Sequence, residues 1–437
     1  MRSLMVLVHR YAGLTMAAFL LITGLTGAII SWDHELDDVL NPHLMEAHSQ
    51  GPRANPLALV RQVEARDPRI QVTYFVLNPA AGESLQLGIS PRVDPATNKL
   101  YEPGYNEMFL DPVTGEELGR REWGGVWPIT RENLVSFLYK LHYSLHIPEM
   151  WGTDRVGLWI LGVIAIIWTL DSFVGFYLTL PAKRRARAGS AEAAVEDEPV
   201  VAAKSRTWMQ RWKPAWLVRW SGGGTKLNFD LHRAFSLWTW GLLFILGFTA
   251  FSLNLYSEVF YPVMSRVSKV TPSPFDLRAP TALNEPITAN AGYGEILERA
   301  AAEGKSRGWA EPVGSVFYTP NYGVYGVRFF KPGDDHGAAG VGPPLLYFDS
   351  EDGRLIGDRL PWTGTAADLF VQAQFPLHSG RILGLPGRIL ISVMGLVVAM
   401  LSVTGVIIWA KKRSSQAVRK RRREVPARAG EPEPASL

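Results

Sequence analysis

The sequence predicts an α-helical membrane protein: a four-span transmembrane helix bundle from a tandem duplication, with two α+β domains outside the membrane. Three observations predict it. Four stretches are long and apolar enough to cross a bilayer, the chain repeats its own landmarks, and the basic clusters beside the spans fall on one side. The average composition hides this. Of 437 residues, 47% are hydrophobic and 20% charged, and the mean hydropathy is only +0.02, so the apolar residues are clustered rather than spread. There is no cysteine. That excludes disulfides, iron–sulfur clusters, c-type haem attachment, thiolate zinc sites and a cysteine nucleophile. Any metal or cofactor must be held by His, Met, Tyr, carboxylate or backbone.

Residues 1–32 form the first span, through the apolar run Tyr11–Trp32. The run is too long for a cleaved signal peptide and lacks its small-residue cleavage site, so it reads as a retained anchor. Residues 33–156 form the first external domain, with a helix at Pro56–Ala65 and strands at Val72–Leu77 and Ser84–Ile89. Residues 157–182 hold the second span, the run Gly157–Leu180. In the loop 183–231, Ala186–Ala203 reads as a flexible linker. Beyond it Trp208, Trp212, Trp216 and Trp220 recur every four residues between Arg211, Lys213 and Arg219. That spacing puts an aromatic stripe on one helical face, suited to contact with membrane lipid at the headgroup layer. A buried stripe in a small cytoplasmic fold is the alternative, and Pro214 would kink a helix here. Residues 232–256 hold the third span, through Ala234–Tyr256. Residues 257–387 form the second external domain, with a helix at Tyr293–Ala302 and strands at Gly314–Thr319 and Val324–Phe330. Residues 388–410 are the fourth span, and 411–437 a basic tail expected to be disordered from 414 onward.

Lys183, Arg184, Arg185 and Arg187 follow the second span. Lys411, Lys412 and Arg413, then Lys420 to Arg423, follow the fourth, and the N-terminus carries Arg2 and Arg10. With four spans these lie on one side, which reads as cytoplasmic, with both termini inside. The long loops are net acidic, 11 Lys+Arg against 18 Asp+Glu in 33–156 and 11 against 14 in 257–387. Such loops cross largely regardless of charge, so the basic flanks decide the orientation.

The repeat organises the rest. His9-Arg10 opens the first span and His232-Arg233 the third. Each external loop carries a hairpin signal: Phe109-Leu-Asp-Pro-Val-Thr-Gly-Glu-Glu-Leu-Gly119, and Tyr347-Phe-Asp-Ser-Glu-Asp-Gly-Arg-Leu-Ile-Gly357. Leu141-His142 precedes the second span and Leu377-His378 the fourth, and Gly175 and Gly405 stand near the inner ends of those spans.

The nine histidines are where chemistry is expected. His9 and His232, and likewise His142 and His378, are repeat-related mates near opposite membrane faces. Two-fold-related histidines can supply both axial ligands of one haem iron, and two such haems would make an electron path through the bundle. Zinc fits less well, since only His142 and His146 have local ligand spacing. If Asn133–His146 is one helix, His146 shares a face with His142 and could replace it. Arg10 and Arg233, next to the inner histidines, and Arg381, three after His378, could bind haem propionates. For Arg10 and Arg233, positive-inside topology is the alternative. His34 lacks a repeat mate, and His43, His48 and His336 read as solvated loop residues. Asp171, the acid within a span, could serve a proton-coupled or quinol site, or only a helix-to-helix hydrogen bond. Trp123, Trp127, Tyr139, Tyr143 and Trp151 read as an interfacial belt, or else as the wall of a substrate surface. No Walker loop and no dinucleotide fingerprint is present, so electrons must come from a membrane donor or a separate reductase. Nothing points to nucleic acid as a partner.

The opening His9-Arg-Tyr-Ala-Gly-Leu with Leu25-Thr-Gly27, the two hairpins, and Phe375-Pro-Leu-His-Ser-Gly-Arg-Ile-Leu-Gly-Leu-Pro-Gly-Arg388 with Val403-Thr-Gly405 together resemble PepSY-associated transmembrane proteins. The resemblance covers nearly the whole chain. It implies an inner-membrane protein of Gram-negative bacteria with two periplasmic PepSY-like domains. The characterised branch of that family implies a ferric-siderophore reductase binding two b-type haems, with His9, His232, His142 and His378 as ligands. Its substrate would be a ferric siderophore, and its electron donor a quinol or a cytoplasmic reductase. The third span departs from the pattern, reading Ala234-Phe-Ser-Leu-Trp-Thr-Trp240 without the Leu-Thr-Gly of the first. The rival expectations are a PepSY-domain membrane sensor or regulator that binds a periplasmic protein or peptide, and then a transporter.

Overall fold

The structure is a computed structural model. It describes residues 1–151, 153–182 and 206–424, without the side chains of 419–424. The Ala186–Ala203 linker, the cluster Lys183 to Arg187 and the chain after Glu424 lie outside the described residues.

In chain order the principal helices are α1 (Arg2–Ile30), α2 (Asp33–Leu40), α3 (Pro56–Arg66), α4 (Leu134–Ser144), α5 (Val156–Thr179), α6 (Gly223–Trp238), α7 (Trp240–Asn254), α8 (Tyr293–Ser306), α9 (Ala366–Ser379) and α10 (Leu385–Glu424). Three of them, α1, α5 and α10, are long and apolar enough to cross a membrane. The pair α6 and α7 would make a fourth crossing, but the two are bent by 72° at Thr239. The expected third span is therefore a bent helix pair, either a broken span or a re-entrant loop. The Thr239 hydroxyl turns back on the Phe235 carbonyl at 2.7 Å, a bond that competes with the helix ladder. The indoles on either side pull apart, Trp238 donating to the Trp216 carbonyl and Trp240 to the Ser172 carbonyl.

The tail also differs from expectation. Helix α10 continues through Glu424, because Gln416 to Arg423 is rich in good helix formers with no Gly or Pro to stop it. The tryptophan stripe becomes a short helix, Trp208–Trp212, and a 3₁₀ turn, Lys213–Trp216, with Pro214 at the junction. Trp208, Trp212 and Trp216 form a ladder with ring centres 5.1 Å apart at each step.

Residues segregate into two units. One holds Met1–Gly24, Ile166–Phe244 and Leu396–Leu437; the other holds Leu25–Ala165 and Ile245–Gly395. The second contains an eight-stranded antiparallel sheet. Its strands are β1 (Ile70–Val76), β2 (Leu85–Pro91), β3 (Glu107–Leu110) and β4 (Glu117–Arg121) from the first loop, and β5 (Val313–Thr319), β6 (Val324–Phe329), β7 (Leu345–Asp349) and β8 (Leu355–Arg359) from the second. The order is β8-β7-β6-β5-β1-β2-β3-β4, which reads the same outward from the centre in both directions. The two loops thus share one sheet, joined where Tyr74 faces Phe317 and Phe75 faces Val316. They also share one core, in which Phe75, Leu87 and Val72 pack with Val316, Leu346 and Ile296.

Both expected hairpins form. Asp111 caps the first turn by accepting from the Val113 and Thr114 amides, and Asp349 accepts from the Glu351 amide in the second. Gly115 and Gly353 close these turns at φ of 71° and 67°, a region glycine enters at no steric cost.

Arg121 ties α2 to the sheet. It is 4% exposed and binds Asp37 at 2.8 Å and Glu107 at 2.7 Å. Removing one partner of a buried ion pair leaves the others uncompensated. Arg121→Ala is therefore expected to destabilise this unit by about 3–5 kcal/mol, read as a lower thermal midpoint of the detergent-solubilised protein.

Candidate functional site

The structure brings the four repeat-related histidines together as two facing pairs. His9 on α1 meets His232 on α6 with ring centres 6.2 Å apart and ring planes at 62°. His142 on α4 meets His378 on α9 at 6.1 Å and 58°. The first pair lies wholly in one unit and the second wholly in the other.

Each ring is held through Nδ1. The partner of His9 is Asp171 Oδ2 at 2.8 Å. His232 meets Thr404 Oγ1 at 3.0 Å and the Leu401 carbonyl at 3.1 Å. His142 meets Thr26 Oγ1 at 3.1 Å, and His378 meets Thr249 Oγ1 at 2.9 Å. These partners fix the tautomer. A carboxylate or a carbonyl can only accept, so Nδ1 of His9 and of His232 carries the proton. The Thr249 hydroxyl spends its own hydrogen on the Ile245 carbonyl, so His378 also donates from Nδ1. In the neutral ring Nε2, on the far edge, is then the unprotonated nitrogen, the form that binds metal. Burial, and then the neighbouring His142 ring, push the His378 pKa well below the ordinary imidazole value.

Small residues make room for the rings. A side-chain carbon on Gly27 would stand 2.8 Å from His142 Cε1; the same test gives 3.2 Å for Gly405 against His232 and 3.5 Å for Gly175 against His9. Two of the rings are thus each served by a Thr-Gly pair: the threonine holds Nδ1 and the glycine admits the ring. Thr26-Gly27 does this for His142, and Thr404-Gly405 for His232.

The third span carries the mate. Thr249 follows His232 by 17 residues, as Thr26 follows His9. Phe248-Thr249-Ala250 therefore stands in the place of Leu25-Thr26-Gly27. The motif absent just after His232-Arg233 is present one helix later, with alanine for glycine.

A cavity of about 470 Å³ surrounds His9 and His232. Apolar residues such as Leu14, Leu237 and Val406 line it, with Asp171 as its acid and Arg2, Arg10, Arg233 and Lys412 as its cations. Arg2 caps the end of α5 through the Leu178 and Leu180 carbonyls. Arg233 binds Asp230 at 2.9 Å. Arg10 makes no hydrogen bond or ion pair among the described residues. It is thus the arginine of the two His-Arg pairs whose charge is unspent.

Other expected site residues lie elsewhere. Helix α4 stops at Ser144, and Leu145 and His146 both take left-handed backbone, so His146 leaves the face that carries His142. Its ring stacks on Phe137 at 4.4 Å, and its Nε2 donates to the Phe137 carbonyl at 2.8 Å. Burial lowers its pKa. Arg381 pairs with Asp33 at 3.4 Å. His34 and His336 meet edge-on at 4.9 Å on the surface, and His43 binds Glu132. Trp123, Tyr139 and Tyr143 form a chain of rings, while Trp127 and Trp151 stand exposed.

These features define a membrane-type helical protein with three or four apolar spans, a large antiparallel sheet and two facing histidine pairs. Residues 6–412 match the family described as the PepSY-associated TM region, and the chain belongs to that family. No curated protein matches it.

Proposed function

We propose that the protein is a haem b protein of the bacterial inner membrane that passes electrons across the membrane to reduce a periplasmic ferric siderophore and release Fe²⁺. The observation that carries this reading is the separation of the paired rings, 6.2 and 6.1 Å. A metal held between two imidazole nitrogens, with bonds of about 2.0 Å and about 1.1 Å from nitrogen to ring centre, would need ring centres no more than about 6.2 Å apart. The Nδ1 partners and the facing glycines support the same reading, since they fix each ring from its Nδ1 side and let it sit close against a helix. His9 and His232 would hold one haem and His142 and His378 another, with Arg10 beside the first to take a propionate.

When bound, haem would supply one-electron chemistry, held by His9 and His232 at one site and by His142 and His378 at the other. The chain's histidines would fix its position, and most of the wall of the His9/His232 cavity is apolar. The siderophore offers hard oxygen donors that favour Fe³⁺, so one electron taken up by the ferric ion weakens its hold without breaking a ligand bond chemically. A quinol donor would give up two electrons and two protons and so serve two ferric ions; a cytoplasmic reductase is the other donor class. The basic flanks support cytoplasmic termini. The eight-stranded sheet would then stand in the periplasm as a pair of PepSY-like domains.

The test is the absorption spectrum of the protein purified in detergent from haem-replete cells, oxidised and dithionite-reduced, with haem counted per chain. Sharp low-spin b-type bands at about two haems per chain, together with oxidation of the reduced protein by a ferric siderophore, are expected. A colourless protein would overturn the reading and leave the PepSY-domain sensor or regulator in its place.

A further inference from the structure

The two histidine pairs differ in one respect that the duplication does not require. His378 rests on Thr249, and His232 on Thr404 and the Leu401 carbonyl, all of them neutral; His142 meets the Thr26 hydroxyl. His9 rests on a carboxylate, Asp171, at 2.8 Å. Asp171 is 5% exposed, and its second oxygen, Oδ1, is buried without a hydrogen-bond partner. The step that carries Gly175 onto Gly405 carries Asp171 onto Leu401, so the other copy of this helix has an apolar residue there. A desolvated carboxylate is expensive to keep in a membrane helix, and a helix-to-helix hydrogen bond alone does not need one. Thr404 makes that bond to His232 with a hydroxyl.

We propose that Asp171 makes the His9/His232 site the low-potential member of the two haem sites, and so gives electron flow through the chain its direction. This rests on the haem reading above. Two effects act in the same sense. A carboxylate accepting the Nδ1–H of a ligating histidine raises the basicity of Nε2 and strengthens its donation to the metal, favouring the oxidised ion. The buried negative charge also stabilises the more positive iron state by direct attraction, and does so strongly where water is excluded. A threonine hydroxyl or a backbone carbonyl supplies neither at comparable strength. Arg2, Arg10, Arg233 and Lys412 line the same cavity and act in the opposite sense. Arg2 and Arg233 are already bonded to carbonyls and to Asp230, whereas Asp171 bonds the ring itself. Electrons delivered to the His9/His232 site then pass downhill to the His142/His378 site.

Potentiometric titration of the purified holoprotein tests this. The wild type is expected to titrate as two one-electron components. Asp171→Asn keeps the shape and a hydrogen-bond acceptor but removes the charge. It should shift the lower component upward by at least tenfold in its reduction equilibrium, about 59 mV, and leave the upper one in place. Asp171→Glu should return it toward the wild-type value, which a merely structural contact would not do. His378→Ala, which removes the other site, should retain the lower component. The proposal is overturned if Asp171→Asn moves neither component, if it moves the upper one, or if His378→Ala retains the upper one. Should Asp171→Asn lose its haem, the His378→Ala titration decides in the same two ways. A wild-type protein without haem would instead overturn the haem reading itself, so the two failures are told apart.

Discussion

If the haem reading holds, His378→Ala and His232→Ala, made singly, are each expected to lower haem content from about two per chain to about one, and each to abolish electron delivery to a ferric siderophore. The expectation follows from the way each ring is built in. His378 stands near the end of α9, where Gly380 takes left-handed backbone and ends the helix, and its Nδ1 is fixed by Thr249. Alanine leaves Thr249 without its ring and His142 without a facing imidazole. Lesser changes to the groups that orient a metal ligand typically cost 10- to 100-fold in affinity, and removing one of two axial ligands costs more. The two variants should be distinguishable by which component of the reduced spectrum survives. His146→Ala, in contrast, should keep about two haems, because the His146 ring is stacked on Phe137 and hydrogen-bonded to its carbonyl. Loss of a haem in His146→Ala with retention in His142→Ala would overturn the assignment of ligands.

Much of this site was legible in the sequence because duplication prints its landmarks twice. The histidine pairs, both hairpins, and helices α3 and α8 stand where spacing put them. What spacing could not show is how the helices end and bend. The displacement of His146 depends on two left-handed residues, Leu145 and His146, neither of them glycine, and no local signal announces them. The break at Thr239 comes from two indoles bonding to different segments, a tertiary effect that hydropathy does not carry. The fusion of two loops into one sheet depends on the β1–β5 pairing between chain segments far apart. The threonines that hold Nδ1 were visible in Leu25-Thr-Gly27 and Val403-Thr-Gly405, but their task was not. The mate Thr249 needed the 17-residue step from His232 to be counted.

Alanine placed at the three glycines that face histidine rings should give a graded series. At Gly27 the new carbon would stand 2.8 Å from His142 Cε1 and 3.3 Å from Nδ1, closer than non-bonded carbons tolerate. The ring cannot simply swing aside, because Thr26 holds its Nδ1 on one side and the His378 ring faces it on the other. Gly27→Ala is therefore expected to lose the haem of that site. At Gly405 the contact would be 3.2 Å, which a shift of the His232 ring by a few tenths of an ångström relieves, so that haem should bind with altered bands. At Gly175 it would be 3.5 Å, an ordinary contact, and Gly175→Ala should keep both haems. Replacing glycine by alanine inside a helix otherwise favours the helix by about 1 kcal/mol. That gives the series an internal control. If Gly27→Ala only damaged folding, the thermal midpoint would fall with the haem content. If the methyl group acts on the His142 ring, haem falls while the midpoint of the haem-free protein holds or rises. Full haem content in Gly27→Ala, or haem loss in Gly175→Ala, would show that the glycines do not make room for the ligating rings.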